Sequence, residues 1–187
     1  RVFLLTWDAA KKRVIETALP EFPCGVRLGS AAVRDSRVYV TGGEYTAALP
    51  SDVWMLDQDA PQAGWRPLPP LPGATGRMQA VAFVQNGDQK KTLLYVIGGY
   101  AKNAAGIFQS LTDGFAYDLA QPEASGRWHP ISPAVVGSEA GDRRSEIGDP
   151  VSDLRSPTSG AWPLIGAGCV TSGDQHVLVF GGLDAAY

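Results

Sequence analysis

Glu44 is the residue of this chain best placed for acid–base chemistry, because it directly follows a glycine pair, Gly42-Gly43, at the end of an apolar segment. Similar glycine pairs return at 98–99 and 181–182, where Tyr100 and Leu183 follow instead of an acid. An acid at one of three otherwise matching positions suggests a functional role, and the alternative is a solvated loop residue. A carboxylate with proton donors near it can act as general base and general acid.

Two arginines form the second candidate group, since Gly25-Val26-Arg27-Leu28 and Thr75-Gly76-Arg77-Met78 each precede an apolar segment. We expect Arg27 and Arg77 to occupy the same place in successive structural units, at the entrance to a strand. An arginine there can bind a carboxylate ligand through two parallel hydrogen bonds. The alternative is that each arginine braces a loop of a neighbouring unit.

The glycine pairs belong to a longer internal repeat, and such a repeat determines the architecture. Each pair ends an apolar segment that follows another apolar segment. The first two pairs are also followed by a segment with aromatic residues and then by a Trp, at Trp65 and Trp128. The pattern predicts units of four short strands, a to d, in an antiparallel meander, with second strands centred on Tyr39, Tyr95 and Val179.

This repeat resembles the kelch repeat, in which a glycine pair ends strand b and a Trp begins strand d of each propeller blade. The resemblance implies an all-β, kelch-type β-propeller. Composition agrees with an all-β chain, because 22 glycines and 14 prolines separate many short apolar runs.

The predicted organisation is a propeller segment that spans residues 1–187. Strands c and d occupy 1–20, complete blades occupy 28–70 and 78–133, an inserted loop covers 134–162, and strands a and b occupy 163–187. Three blades' worth of strands are fewer than the four to eight of a closed propeller. We therefore expect a second copy or further sequence to complete the ring.

A narrower resemblance concerns the segments Gly98-Gly99-Tyr100-Ala101-Lys102-Asn103 and Gly106-Ile107-Phe108-Gln109, together with Gly43-Glu44 and Ser51-Asp52-Val53-Trp54. They are similar to those of the bacterial sialic acid mutarotases, also called N-acetylneuraminate epimerases, and the mid-blade start suits the cyclically permuted members. The resemblance implies a six-bladed ring that interconverts anomers of N-acetylneuraminic acid, in the periplasm or outside the cell.

The site that this resemblance implies has Glu44 as its base. Opening a cyclic hemiketal needs a base for the anomeric hydroxyl and an acid for the ring oxygen, and requires neither a metal nor an organic cofactor. The substrate-binding residues are expected to be Arg27, Arg77, Tyr100, Lys102, Asn103 and Gln109.

Other functional classes are less well supported by the residues. A net charge of −3, with 16 Lys and Arg against 19 Asp and Glu and no basic stripe, argues against nucleic acid. No apolar run is long enough to span a membrane. Cys24 and Cys169 do not have the spacing of metal ligands. The two histidines, His129 and His176, provide few ligands for a copper site. A kelch module that binds a protein or glycan without catalysis stays open as the alternative, as does a purely structural half-propeller.

Overall fold

The structure, a computed structural model, describes residues 1–49, 51–73, 76–87, 91–123, 125–131, 164–173 and 176–181. The inserted loop predicted over 134–162 lies outside the described residues, as do Thr75, Gly182 and Leu183. The strands in the described part are β1 (Val2–Asp8), β2 (Arg13–Leu19), β3 (Val26–Arg27), β4 (Ser30–Arg34), β5 (Arg37–Thr41), β6 (Glu44–Tyr45), β7 (Val53–Asp57), β8 (Arg66–Pro67), β9 (Val81–Asn86), β10 (Thr92–Ile97), β11 (Tyr100–Lys102), β12 (Phe108–Ser110), β13 (Gly114–Asp118), β14 (Trp128–Ile131), β15 (Gly168–Ser172) and β16 (His176–Phe180).

Two four-stranded antiparallel sheets form the centre of the molecule. Strands β4, β5, β7 and β8 lie side by side in chain order, and β9, β10, β13 and β14 repeat the same meander. These sheets are two propeller blades, so the predicted fold class is confirmed. Tyr39 and Tyr95 lie in the second strand of their sheets.

The core lies between the blades, which pack against each other through apolar side chains. The third strand of each blade is its most buried element, because four of the five residues in Val53–Asp57 and in Gly114–Asp118 are buried. Continuous burial of this kind is expected of a strand that is covered on both faces. Side chains of both blades, among them Tyr39, Met55, Leu94 and Tyr117, belong to one hydrophobic cluster.

Among the described residues, four further sheets contain two strands each, and two of them, β1–β2 and β15–β16, are half-blades. Strand β1 pairs with β2, and β15 pairs with β16, both in antiparallel register. Val179 lies in β16, the second strand of its sheet. Apolar side chains on these half-blades are exposed, including Leu5, Trp7 and Phe180.

The glycine pairs join each blade to the next one. The Gly42 amide donates to the Asp52 carbonyl of the same blade at 2.7 Å, and the Gly43 amide donates to the Arg77 carbonyl, just ahead of the second blade, at 2.6 Å. The bonds of Gly98 to Asp113 at 2.9 Å and of Gly99 to Leu164 at 2.7 Å repeat this arrangement. Both first glycines have positive φ, 61° and 65°, a conformation that glycine adopts without steric cost.

The tryptophans at the fourth strand form a second repeated link between blades. The Trp65 indole N–H donates to the Pro20 carbonyl at 3.0 Å, and the Trp128 indole N–H donates to the Pro69 carbonyl at 2.8 Å. Each acceptor belongs to the chain that leaves the preceding unit. The Trp of this repeat therefore links successive units, and Trp128 is also part of the hydrophobic cluster.

The two cysteines and the helices of the described residues were also subjects of the sequence-based expectations. Cys24 and Cys169 are both free thiols. No helix in the described ranges is long and apolar enough to cross a membrane.

Candidate active site

Glu44 and Arg27 form an ion pair at the end of the first blade. They lie opposite each other on the short strands β6 and β3, which pair in antiparallel register. The Arg27 Nε and Nη2 atoms lie 2.8 and 2.6 Å from the same carboxylate oxygen, Oε2. This strand pair is an addition to the blade, and it fixes a carboxylate and a cation side by side.

Lys102 approaches the other oxygen of the same carboxylate. Its Nζ lies 3.7 Å from Glu44 Oε1, and it also lies over the Phe108 ring, 5.2 Å from the centroid. Lys102 and Phe108 face each other across the β11–β12 hairpin. Tyr100 packs edge-on against Phe108 with centroids 5.3 Å apart, so the aromatic pair supports the lysine.

The charges of this cluster do not cancel. One carboxylate and two cations leave one net positive charge, which favours an anionic ligand. The pKa of Glu44 is lowered, first by the hydrogen bond from Arg27 and then by the charges of Arg27 and Lys102. Glu44 is therefore ionised at neutral pH, the state that a general base needs.

A cleft of about 330 Å³ opens beside this ion pair. It is lined by Gly25, Val26, Arg27, Glu44, Tyr45 and Thr46. Reciprocal hydrogen bonds between Gly25 and Thr46 close its wall, with the Gly25 amide donating to Thr46 Oγ1 and the Thr46 amide donating to the Gly25 carbonyl, both at 2.9 Å. The volume lies within the range of small-molecule sites.

Two larger clefts, of about 680 and 750 Å³, lie elsewhere, and both are lined by Lys91 and Asp118. Neither contains Glu44. We place the candidate site at the cleft of about 330 Å³ because it is lined by Glu44 and Arg27, and because Lys102 approaches the same carboxylate.

The expectation that Arg27 and Arg77 occupy equivalent places is wrong. Arg27 pairs with Glu44 after the first glycine pair, whereas Met78, not Arg77, pairs with Tyr100 after the second. Arg77 is thus shifted by one residue, and such a shift turns a side chain to the opposite face of a strand.

The side chain of Arg77 is consequently 0% exposed, against 74% for Arg27. Its Nη1 donates to the Gly98 carbonyl at 2.6 Å and its Nη2 donates to Asp113 Oδ1 at 2.8 Å. Arg77 therefore braces its own unit, because Gly98 follows the second strand of that blade and Asp113 precedes the third. It does not brace the loop of a neighbouring unit, which is the alternative that the sequence leaves open. A ligand carboxylate has no access to it.

The structure brings the remaining predicted residues to the β11–β12 hairpin. Asn103 Oδ1 accepts the backbone N–H groups of Ala105 and Ile107, each at 3.0 Å, and so shapes the loop between the strands. Gln109 is exposed on β12 opposite Ala101. These residues flank Lys102, but among the described residues of this hairpin only Lys102 reaches the Glu44 carboxylate.

Sequence reasoning did not assign a role to Phe108, which supports Lys102, or to Asp113, which holds Arg77. The aspartate that precedes strand c in both units, at Asp52 and Asp113, was a usable signal. In the described ranges, no group of three or more His, Cys, Asp or Glu residues is arranged to hold a metal ion.

The fold and this site define a kelch-type β-propeller with an acid–cation cluster at the end of a blade. The solved structure of YjhT superposes with a TM-score of 0.58 and 23% identity, covering 89% of this chain and 37% of that one, a likeness that shows the fold. No family model matches the chain.

Curated relatives give the narrower comparison. The N-acetylneuraminate epimerase of Haemophilus influenzae (strain PittEE) is 32% identical over 102 residues, 53% of this chain and 24% of that protein. N-acetylneuraminate epimerase 1 of Escherichia coli O6:H1 is 27% identical over 104 residues, 56% of this chain and 25% of that protein. The chain thus spans about a quarter of the length of the curated relatives it matches. The resemblance inferred from the sequence is confirmed.

Proposed function

We propose that this chain carries the catalytic base of a mutarotase that interconverts the α and β anomers of N-acetylneuraminic acid. The observation that carries the proposal is the ionised Glu44 carboxylate, held between Arg27 and Lys102 beside a cleft. The names of the curated relatives supply the substrate class.

The chemistry needs one carboxylate and one proton donor. Glu44 takes the proton of the anomeric hydroxyl, the bond between the anomeric carbon and the ring oxygen breaks, and the ring oxygen receives a proton from a nearby donor. Rotation of the open-chain ketone and reclosure on its other face give the second anomer. On reclosure the attacking hydroxyl returns its proton to the donor and Glu44 returns its proton to the new anomeric hydroxyl, so no atom or electron is gained or lost.

Arg27 and the neighbouring hairpin hold the substrate in this scheme. Arg27 binds the sugar carboxylate, because its guanidinium is largely exposed and can present two N–H groups in one plane. Tyr100, Asn103 and Gln109 stand on the neighbouring hairpin as further contacts for the sugar. Arg77 has no place among them, since its guanidinium is occupied inside the protein.

Replacement of Glu44 by Gln tests the catalytic proposal. Equilibration of freshly dissolved α-N-acetylneuraminic acid, followed by NMR, should be faster with the native protein and should lose on the order of 10²–10⁴-fold of that acceleration in Glu44→Gln. Glu123→Gln is the matched control, since Glu123 also pairs with an arginine, Arg66 at 3.0 Å, on the fourth-strand side of the blades. An unchanged rate in Glu44→Gln contradicts the assignment, and failure of the native protein to accelerate the reaction favours the non-catalytic binding module.

Two wider expectations accompany this function. We propose that the blades belong to a six-bladed ring, which a second copy or a longer chain completes, and that the protein is periplasmic or secreted. Fractionation of the source cells checks the location, because activity confined to the cytoplasm contradicts it.

A further inference from the structure

The proposed roles of Glu44 and Arg27 compete with each other in the structure. Arg27 is to bind the ligand's carboxylate, yet its Nε and Nη2 atoms are already 2.8 and 2.6 Å from the Glu44 carboxylate. Glu44 is to accept a proton, yet a carboxylate that accepts charge-assisted hydrogen bonds is a poorer base. The pair must therefore open before either residue can act fully.

The two cations at Glu44 differ in how firmly they are held. The Arg27 side chain is mostly exposed and stands on the two-residue strand β3, so its guanidinium can turn toward a new anion at little cost. Lys102 lies over the Phe108 ring, and Tyr100 packs against that ring. The contacts on its own hairpin keep Lys102 near the carboxylate when Arg27 leaves.

We propose that ligand binding exchanges this ion pair: the ligand's carboxylate takes Arg27 from Glu44, and Lys102 keeps the released Glu44 in position as the base. The exchange rests on the proposed function and assigns Lys102 as a positioning residue. The charges balance, because an anionic ligand enters a cluster that carries one net positive charge. No bond other than hydrogen bonds changes in this step.

The exchange changes the basicity of Glu44 during the catalytic cycle. Within the described residues, the charged side chains that contact Glu44 are Arg27 on β3 and Lys102 on β11. The hydrogen bond from Arg27 is the largest of the interactions that lower the pKa of Glu44. Loss of that bond therefore raises the pKa and makes the carboxylate a stronger base. In a pH–rate profile, the acid limb of kcat/KM reports the pKa of the base in the free protein, and the acid limb of kcat reports its pKa in the complex with the ligand. The acid limb of kcat should consequently lie at the higher pH.

The direct test observes the carboxyl group itself. In native protein labelled with ¹³C at the glutamate carboxyl carbons, the Glu44 signal is assigned by its loss in Glu44→Gln and titrated with pH. Saturation with N-acetylneuraminic acid should move its midpoint to higher pH, and saturation with the methyl ester of the sugar, which has no carboxylate, should not. In Arg27→Gln the midpoint of the free protein should already be higher, with little further change on binding the acid.

Kinetics of matched variants test the separate roles of the cations. Lys102→Met keeps an apolar stem against Phe108, and should lower kcat about tenfold or more with little change in KM, whereas Lys102→Arg should restore much of the rate. Arg27→Gln should chiefly raise KM, on the order of tenfold or more, for loss of a charge-assisted contact.

The outcomes distinguish the two proposals. If the native protein accelerates mutarotation but ligand saturation leaves the Glu44 midpoint unchanged, the exchange is overturned and the proposed function stands. Unchanged kcat in Lys102→Met overturns the positioning role. Absence of both binding and acceleration overturns the proposed function and, with it, the exchange.

Discussion

At the scale of single residues, a shift of one residue in strand pairing places two arginines in opposite environments. Arg27 faces Glu44 across the β3–β6 pair and keeps most of its surface in solvent. Arg77 donates to Gly98 and Asp113 and is wholly buried. The residues around the two arginines are nearly alike, so the difference comes from the pairing register. Arg27 pairs with Glu44 after the first glycine pair, whereas Met78, one residue beyond Arg77, pairs with Tyr100 after the second.

Paired substitutions of these arginines should affect stability very differently. Arg77→Met removes two charge-assisted hydrogen bonds and leaves the Gly98 carbonyl without its arginine donor, which should cost roughly 1.5–3 kcal/mol of unfolding free energy. Arg27→Met changes an exposed position and should stay within about 0.5 kcal/mol. Urea unfolding of both variants measures the difference, and similar losses would show that Arg77 is not a brace.

The carboxyl group of Asp52 should make the stability of the protein depend on pH. Burial raises the pKa of its carboxyl above the ordinary 3.8, against the hydrogen bond that it accepts from the Leu71 amide. Between these two pKa values the folded state binds more protons than the unfolded state, so the contribution of Asp52 to stability decreases as pH rises.

Asp52→Asn should remove this dependence, because the amide oxygen can accept the same bond without charge. Unfolding free energies from about pH 3.5 to pH 7 should show the native chain losing stability relative to the variant as pH increases. A gap that is constant, or that widens in the native chain's favour, would contradict the raised pKa.

At the scale of elements, the repeated joint explains why the glycine pairs recur. A Cβ at Gly42 would overlap the Arg77 carbonyl oxygen, and one at Gly98 would lie 2.6 Å from the Leu164 carbonyl oxygen. Both glycines thus allow the next blade's backbone to approach, in addition to adopting positive φ.

Alanine substitution separates these two requirements. Gly106 also has positive φ, 77°, but a Cβ there meets nothing within 4 Å, so Gly106→Ala should cost only the strain of positive φ, about 1–2 kcal/mol. Gly42→Ala should cost roughly 1–3 kcal/mol more, because the joint must open to admit the methyl group. Denaturant unfolding of the two variants gives the comparison, and equal costs would exclude a close approach at Gly42.

The joint also shows how far the sequence could predict the structure. Glycine pairs and the Trp at strand d are readable because backbone approach and the indole link to a proline carbonyl demand particular residue types. Strands β3 and β11 have only two and three residues, too few for alternation to appear, so the strand pairs that hold Glu44 and Lys102 were not predictable. The place of Arg77 depends on that unseen register.

At the scale of the whole molecule, the two half-blades present complementary edges. Within the described ranges, β16 pairs only with β15, and β1 pairs only with β2. Leu5 and Phe180 are 64% and 60% exposed on these strands. Exposed apolar strand edges of this kind readily form hydrogen bonds with further strands.

The register of the complete blades predicts how a missing neighbour would pair. Val40 faces Trp54 and Val96 faces Phe115, so Val179, at the matching distance before its glycine pair, should face an apolar strand-c residue at the place that Leu5 holds in β1. By the same register, His176 should face the position of Asp8, as Arg37 faces Asp57 at 3.6 Å. Apolar pairs with a polar pair at one end would fix the register of the added strand.

We therefore expect these edges to be covered in the native protein, by strands of a second copy or of a longer chain. The 187-residue chain alone should either dimerise or unfold without cooperativity, because uncovered half-blades cannot stabilise themselves in water. Light scattering combined with urea unfolding measures both properties. If the chain dimerises through these edges, Val179→Lys should yield monomers, whereas Thr171→Lys, at an exposed position on the neighbouring strand β15, should leave the dimer intact. A folded, cooperatively unfolding monomer would contradict edge pairing and show that the half-blades are stable as they stand.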